Sequence, residues 1–272
     1  MIRKWTPEER QFILDKYLKE GWTLKEIAEK FHSKSNTISK YIKLWGYEIK
    51  RKGTISNRRL NENYFSKIDT EIKAYFIGLL FADGSVILGK NGRSSSISLE
   101  LIETDKNILD LLKKELNSDG NLYYNKRKNR QNGTFTFSVR NQKIADDLSK
   151  FNIIPNKTYK ANKIVVPVGF EKDFLRGFID GDGSIYKHKK DNSWHLSITG
   201  HSYEIIKQFS ELMNNLIDYK KDKKITLYNN VYRYILNGQY AIKLMDLLYA
   251  DANIYITRKR DLAMLAVEDK KS

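Results

Sequence analysis

Two acidic residues, Asp83 and Asp182, each end an apolar helical stretch, and each is followed by a glycine and a run of strand-forming residues. Ala74-Tyr-Phe-Ile-Gly-Leu-Leu-Phe-Ala-Asp-Gly-Ser-Val86 and Asp173-Phe-Leu-Arg-Gly-Phe-Ile-Asp-Gly-Asp-Gly-Ser-Ile185 align on that ending. Gly78 then matches Gly177, Ala82 matches Gly181, and Gly84 matches Gly183. Gly78 and Ala82 are four residues apart, as are Gly177 and Gly181, so each pair occupies one helical face. Faces that small let two helix backbones approach closely. Helices packed through them bring Asp83 and Asp182 side by side. There the carboxylates repel each other, and each stands at the negative end of a helix dipole. A divalent cation with hard oxygen ligands relieves both problems, and Mg²⁺ is the obvious candidate. Phosphodiester hydrolysis suits such a pair: carboxylates hold divalent ions, the ions activate water and neutralise the leaving oxygen, and a nearby lysine steadies the charged pentacovalent state. Competing chemistries are missing. There is no Ser-His-Asp arrangement and no P-loop glycine pattern, and the chain has no cysteine. His32, His188, His195 and His201 lack zinc-ligand spacing and read as solvated or DNA-facing residues.

The elements that must position these acids occur twice. From about Asn63 to Asn162 the order is helix, two strands, helix, two strands, helix. Ile97, Leu99 and Leu101 alternate with Ser96, Ser98 and Glu100, the pattern of a half-buried strand. Ile108, Leu111, Leu112 and Leu116 recur at helical spacing. A second hairpin, Asn121 to Lys126 and Gly133 to Arg140, is joined by the basic loop Lys126-Arg-Lys-Asn-Arg130. In it Phe135, Phe137 and Val139 should face the core, and Thr134, Thr136, Ser138 and Arg140 should face outward. A helix from Gln142 to Phe151 and the segment Ile154-Pro-Asn-Lys-Thr158 close the unit. The same order repeats from about Val165. Its strands are expected over Ile185–Lys190, Ser193–Thr199, Lys224–Tyr228 and Val231–Leu236, and its helices over Tyr203–Ile217 and Tyr240–Tyr249. Asn253 to Lys259 is expected to close it, followed by a terminal tail.

The nine-residue stretches Phe76-Ile-Gly-Leu-Leu-Phe-Ala-Asp-Gly84 and Leu175-Arg-Gly-Phe-Ile-Asp-Gly-Asp-Gly183 resemble the motif of the LAGLIDADG homing endonuclease family. The second is a close match; the first carries Phe81 where an acidic residue is common. The resemblance implies an α+β fold of two pseudo-symmetric αββαββα repeats, forming a saddle whose sheets lie along DNA. It also implies a two-motif monomer with no obligate protein partner that cuts each strand with one acid per repeat. Its target would be a long, partly degenerate, asymmetric duplex, cut to leave 3′ overhangs. The metal set would be Asp83 and Asp182 with Gly84 and Gly183, holding Mg²⁺, for which Ca²⁺ or Mn²⁺ could substitute in a crystal. The family places a basic residue late in each half: Lys157 matches in the first, and either Arg258 or Lys259 in the second. A further polar site residue matches Glu103 in the first half and Gly200 in the second, which would make the half-sites unequal.

The 272 residues carry a formal net charge of +16, with 49 Lys and Arg against 33 Asp and Glu, which suggests a polyanionic partner. No run is long enough to span a bilayer and no signal-peptide pattern follows Met1, so a cytoplasmic or nucleoid-associated protein is expected. Residues 1–49 read as a separate helical unit. Thr6 is a plausible N-cap with Pro7 at the first helical position, and Thr23 with Glu26 stands in capping-box register. The third helix runs from Asn36 to Trp45 and is closed by Gly46. Ile27, Ala28, Phe31, Ile38 and Ile42 would form the core. Three short helices with this turn resemble the helix-turn-helix of resolvase-like and homeodomain-like DNA binders. On that reading Asn36, Thr37 and Lys40 read base edges, while Lys34 and Lys43 contact phosphates. Residues 50–62 are a basic linker in which Arg51 and Arg58 can lie along the backbone or in a minor groove. The repeats then span 63–164 and 165–272. Lys126, Arg127, Thr136, Ser138, Arg140, Tyr186, Lys187, His195, Tyr228 and Arg233 are the candidate DNA contacts of their sheets. The chain lacks the Cys or Ser start and terminal Asn of an intein, which favours a free-standing or intron-encoded enzyme. Two alternatives stay open: a DNA-binding regulator that does not cut, and an RNA maturase.

Overall fold

The structure is a computed structural model that describes residues 5–18, 20, 22–47, 59–89, 93–126, 132–220 and 224–270. Arg51, Arg58 and Arg127 lie outside the described residues, as does most of the 50–62 linker. The chain divides into two compact units, residues 1–57 and 58–272.

The first unit contains α1 (Pro7–Leu18), α2 (Leu24–Lys30) and α3 (Ser35–Leu44). Local signals start two of them. The Thr23 hydroxyl accepts from Glu26 N at 3.1 Å, and the Glu26 carboxylate accepts in turn from Thr23 N at 2.6 Å. Thr6 and Glu9 form the same reciprocal pair at 3.2 and 3.0 Å, satisfying donors that a helix start leaves open. Gly46 takes φ +88° just beyond α3, a conformation only glycine adopts cheaply. Ile13, Ile27, Ala28, Ile38 and Ile42 form the core, and Phe31 packs against it half-buried.

The second unit is built around two helices, α4 (Glu71–Asp83) and α8 (Glu171–Asp182). Ala74 to Phe81 and Asp173 to Asp180 are buried without interruption, so both helices are enclosed on all sides. Each runs directly into a strand. Gly84 and Gly183 are extended, at φ −69° and −79°, so they serve close approach rather than a left-handed turn. A Cβ on Gly84 would overlap the Leu80 carbonyl.

In the first half β1 (Gly84–Ile87) pairs with β2 (Ser96–Ile102), β2 with β4 (Thr134–Arg140), and β4 with β3 (Leu122–Asn125), all antiparallel. The helices α5 (Lys106–Glu115) and α6 (Gln142–Ser149) cover one face, and the short α7 (Lys157–Lys160) follows. The second half repeats the order: β5 (Gly183–Lys187), β6 (Trp194–Gly200), α9 (Tyr203–Leu216), β7 (Thr226–Tyr228), β8 (Val231–Asn237) and α10 (Gly238–Tyr249). The strand order is β1-β2-β4-β3 in one sheet and β5-β6-β8-β7 in the other. The αββαββα repeat is therefore present twice, and one core runs through both halves.

Two expectations need correction. Residues 257–269 form a helix, α11, rather than a tail. Its inward positions, Lys259, Ala263 and Ala266, are small or charged, so it lacks the aliphatic stripe that marks a helix in sequence. Thr134 keeps the expected face with Thr136 and Ser138 but is covered there, at the strand end where its hydroxyl donates to Asn125 O. Gly200 is not the counterpart of Glu103. Counted from the pairs Gly84↔Leu99 and Gly183↔Ile198, Gly200 corresponds to Leu101, and Glu103 lies two residues further on.

Candidate metal and nucleic-acid site

The small faces place α4 against α8 at backbone distance. A Cβ on Gly78 would overlap the Phe174 carbonyl oxygen, and one on Gly177 would overlap that of Tyr75. Nearer the C-terminal ends, a Cβ on Gly181 would meet Ala82 Cβ and lie 3.1 Å from Asp83 Oδ2. Asp83 is thus seated beside the backbone of the opposite helix, one residue from Asp182. Both acids reach solvent. The protein beneath them thins the water around the carboxyls, and this pushes both upward. Asp83, further raised by the charge of Asp182, titrates at about 6, and Asp182 is raised as well.

Lys157 and Lys259 flank the pair. Lys157 Nζ donates to Gly84 O. Lys259 is buried, and its Nζ donates to Ile179 O at 2.5 Å, Gly183 O at 2.7 Å and Gly181 O at 3.3 Å. An ammonium at a helix C-terminus meets carbonyls with no helical partner and the negative end of the dipole. Burial lowers both lysines, Lys259 to about 8, against the opposing pull of the acids. The longer-range charge coupling to the two acids is crosswise, although the acid that weighs most on Lys259 is the buried Asp180. Each lysine holds the glycine carbonyl of its own half, yet Lys157 bears more strongly on Asp182, and Lys259 more strongly on Asp83. Arg258 points elsewhere: its Nε and Nη2 donate to the buried Asp105 Oδ2 at 3.1 and 3.0 Å, tying α11 to the first half. Lys259 is thus the basic residue that reaches the helix end.

Asp180, where the first motif has Phe81, stays out of the site. It accepts from Tyr75 OH, Tyr249 OH and Ile256 N, each at 2.7 Å. Arg176 is equally buried, donating to Ile254 O, Leu248 O and Asp173. Neither role was legible in the sequence, because apart from Asp173 the partners lie far along the chain. The Glu103 carboxylate turns to Tyr124 OH, 3.1 Å away.

Both sheets leave one face free of helices. Register places Ser85, Ser98, Ser138 and, one step along, Glu100, Thr136 and Tyr123 on that face of the first sheet; Arg140 lies at its far end opposite Ser96. In the second sheet the free face carries Tyr186, His195, Ser197, Thr199, Arg233 and Thr226, with Tyr228 at its edge. Arg140, Arg233 and Tyr228 are exposed, as is Lys126 beyond the end of β3. Lys187 is a correction: it pairs in register with Trp194 on the helix-covered side and forms an ion pair with Asp269 at 2.7 Å. His195 lies on the free face but is buried under Tyr186 and His188. In the first unit Asn36, Lys40 and Lys43 are exposed along one face of α3, Thr37 is half-buried beside them, and Lys34 is exposed just before the helix.

Residues 169–248 match the LAGLIDADG-like domain, and residues 72–164 match the WhiA LAGLIDADG-like domain; together they cover more than half of the chain. Solved structures similar to this chain include the I-LtrWI LAGLIDADG homing endonuclease bound to target DNA, at 15% identity over 78% of this chain and 92% of that chain (TM-score 0.43). The LAGLIDADG meganuclease I-AabMI bound to uncleaved DNA matches at 13% identity over 75% and 92% (TM-score 0.48). I-SmaMI bound to an uncleaved DNA target in the presence of calcium ions matches at 15% identity over 75% and 92% (TM-score 0.45). No curated protein matches the chain. Among the described residues no helix is long and apolar enough to cross a membrane. With two motif helices meeting through their glycines, an acid at the end of each, and a matching domain in each half, the chain belongs to the LAGLIDADG family.

Proposed function

We propose that this protein is a divalent-metal-dependent endonuclease that cuts a specific double-stranded DNA site, one strand with each half. The observation that carries the reading is the side-by-side placement of Asp83 and Asp182 at the ends of two touching helices, between two helix-free polar sheet faces. Mutual charge and thin hydration make this carboxylate pair unfavourable by itself, and a hard divalent cation such as Mg²⁺ fits an all-oxygen donor set of that kind. Asp83 and Asp182 would hold it; when bound, it would supply an activated water and charge neutralisation at the phosphate. The half-buried Lys157 ammonium, held at the Gly84 carbonyl beside the acids, would steady charge developing on the phosphate oxygens. Lys259, held by three carbonyls, would act from the floor of the site as a fixed positive charge. Thr136, Ser138, Arg140, Tyr186, Tyr228 and Arg233 would face base edges and phosphates, and the α3 face with Asn36, Thr37, Lys40 and Lys43 would lengthen the footprint.

One observation favours a second reading, DNA binding without cutting. The Gly84 and Gly183 carbonyls, expected beside the metal, are each taken by a lysine ammonium. A randomised duplex library incubated with the protein and Mg²⁺, followed by sequencing of the ends produced, separates the two. Recovered ends sharing a site, absent with Asp83→Asn and Asp182→Asn while the site is still bound, support the nuclease. Enriched binding with no ends under any divalent cation supports the binder.

A further inference from the structure

We propose that His188, Asp191 and His195 form a site for a divalent transition metal of the zinc class, separate from Asp83 and Asp182. All three belong to the β5–β6 hairpin, so the site is local to one supersecondary element. His188 Nδ1 lies 2.9 Å from Asp191 Oδ1, and His195 Nε2 lies 3.8 Å from Asp191 Oδ2. One ligand atom from each residue falls within 4.8 Å of the other two. Tetrahedral zinc with bonds of roughly 2.0–2.1 Å separates its ligands by about 3.4 Å. The two separations involve different oxygens of Asp191, and one atom from each residue lies within 4.8 Å of the others, wider than a bound set, so side chains of the turn must rotate inward to close it.

The hairpin keeps the donors together. His188 N donates to Ser193 O at 2.8 Å, and Asn192 takes the left-handed φ of 55° that the reversal needs. The imidazoles lie parallel, 6° apart with centroids separated by 4.9 Å, so the half-exposed His188 ring must turn for both in-plane lone pairs to meet one ion, while the two oxygens of Asp191 already divide between the rings. His195 has its own orienting partner. Tyr186 OH sits 3.4 Å from Nδ1, so Nε2 is the nitrogen turned toward Asp191 and Ser193, the outer-shell arrangement of ligating histidines. The Ser193 hydroxyl, 3.0 Å from Nε2, would be displaced.

Chemistry and distance both separate this site from the carboxylate pair. Imidazole nitrogens suit zinc, nickel and copper, whereas an all-carboxylate set suits magnesium, calcium and manganese. The Tyr186↔His195 pair stands three residues along the strands from Gly183↔Ile198, about 10 Å at the usual rise. Three protein ligands leave a fourth position, which at the mouth of the free sheet face would be open to water. A bound ion would staple the turn that carries Tyr186 and His195.

The test titrates Zn²⁺ into the untagged full-length chain against a chromophoric chelator, with Co²⁺ absorption reporting coordination geometry. The expected result is one Zn²⁺ equivalent and tetrahedral Co²⁺ bands, both retained in the Asp83→Asn/Asp182→Asn chain and insensitive to millimolar Mg²⁺. Affinity should fall at least tenfold in His188→Ala and in Asp191→Asn. Asp191 is exposed and His188 half-exposed, so neither change touches the core, and far-UV circular dichroism verifies the fold. Saturable binding that survives both variants, binding that vanishes with Asp83→Asn/Asp182→Asn, or no saturable Zn²⁺ binding overturns the proposal.

Discussion

Asp83 has a carboxyl that folding makes harder to ionise, and this sets a sign for stability. Its ordinary value of 3.8 rises to about 6 in the native state. Between those values the native state keeps a proton that the unfolded chain has released. The stability this group contributes is therefore complete below pH 3.8 and is lost as pH rises through about 6. Asp83→Asn removes the titration. In metal-free buffer the variant should melt above the native chain at pH 7 and show a flatter decline from pH 4 to 6, read by calorimetry. If it is the proposed ligand, the same change abolishes cleavage, the usual opposition between stability and function. The crosswise lysines give a second expectation. Lys157→Ala should slow the cut that depends on Asp182 more than the cut that depends on Asp83, by about 10²-fold, the scale of losing one charge-stabilising donor. Lys259→Ala should have the reverse preference. Strand-resolved gels would show nicked intermediates of opposite polarity; equal slowing of both strands in both variants would remove the crosswise assignment.

At the level of elements, the α4–α8 contact determines whether a site exists. Gly78 and Gly177 each face a carbonyl oxygen of the opposite helix with no room for a methyl. Gly78→Ala or Gly177→Ala must push the helices apart, which should cost about 3 kcal/mol or more. Urea unfolding would measure that loss. An effect within 0.5 kcal/mol would mean the helices are not held that closely. The glycine faces were legible because period and residue size suffice to find them. The inward face of β2 was legible from the alternation of Ile97, Leu99 and Leu101, which are buried. The helix α11 was not, since its inward face is Lys259, Ala263 and Ala266. Lys187 was misplaced for a related reason: a long polar side chain beside Trp194 can snorkel to Asp269 from the covered side, and residue type alone does not reveal the side it occupies.

At the scale of the whole molecule, the formal charge of +16 belongs to a chain whose sheets have polar, helix-free faces and whose first unit exposes Lys34, Lys40 and Lys43. Lys40→Ala should weaken binding to the selected duplex by about 1–3 kcal/mol and relax specificity at one base position. Lys43→Ala should weaken binding to all sequences alike and reduce the salt slope by about one. Fluorescence anisotropy over 50–200 mM salt, near the range where such slopes are usually compared, would show it; unchanged affinity in both variants would leave the first unit without a role in DNA contact. The duplicated motif, the two acids, the small helix faces and the net positive charge were determined by the sequence alone, because each is a matter of residue type, count or local period. Only the tertiary structure decided that Lys259 rather than Arg258 reaches the helix end and that Asp180 is an internal anchor for Tyr75, Tyr249 and Ile256. It also brought His188, Asp191 and His195 together despite a spacing that matches no zinc signature. Those facts depend on which atoms meet after residues 69 to 153 positions apart, or a folded-back hairpin, come within hydrogen-bond reach, and no local pattern encodes that meeting.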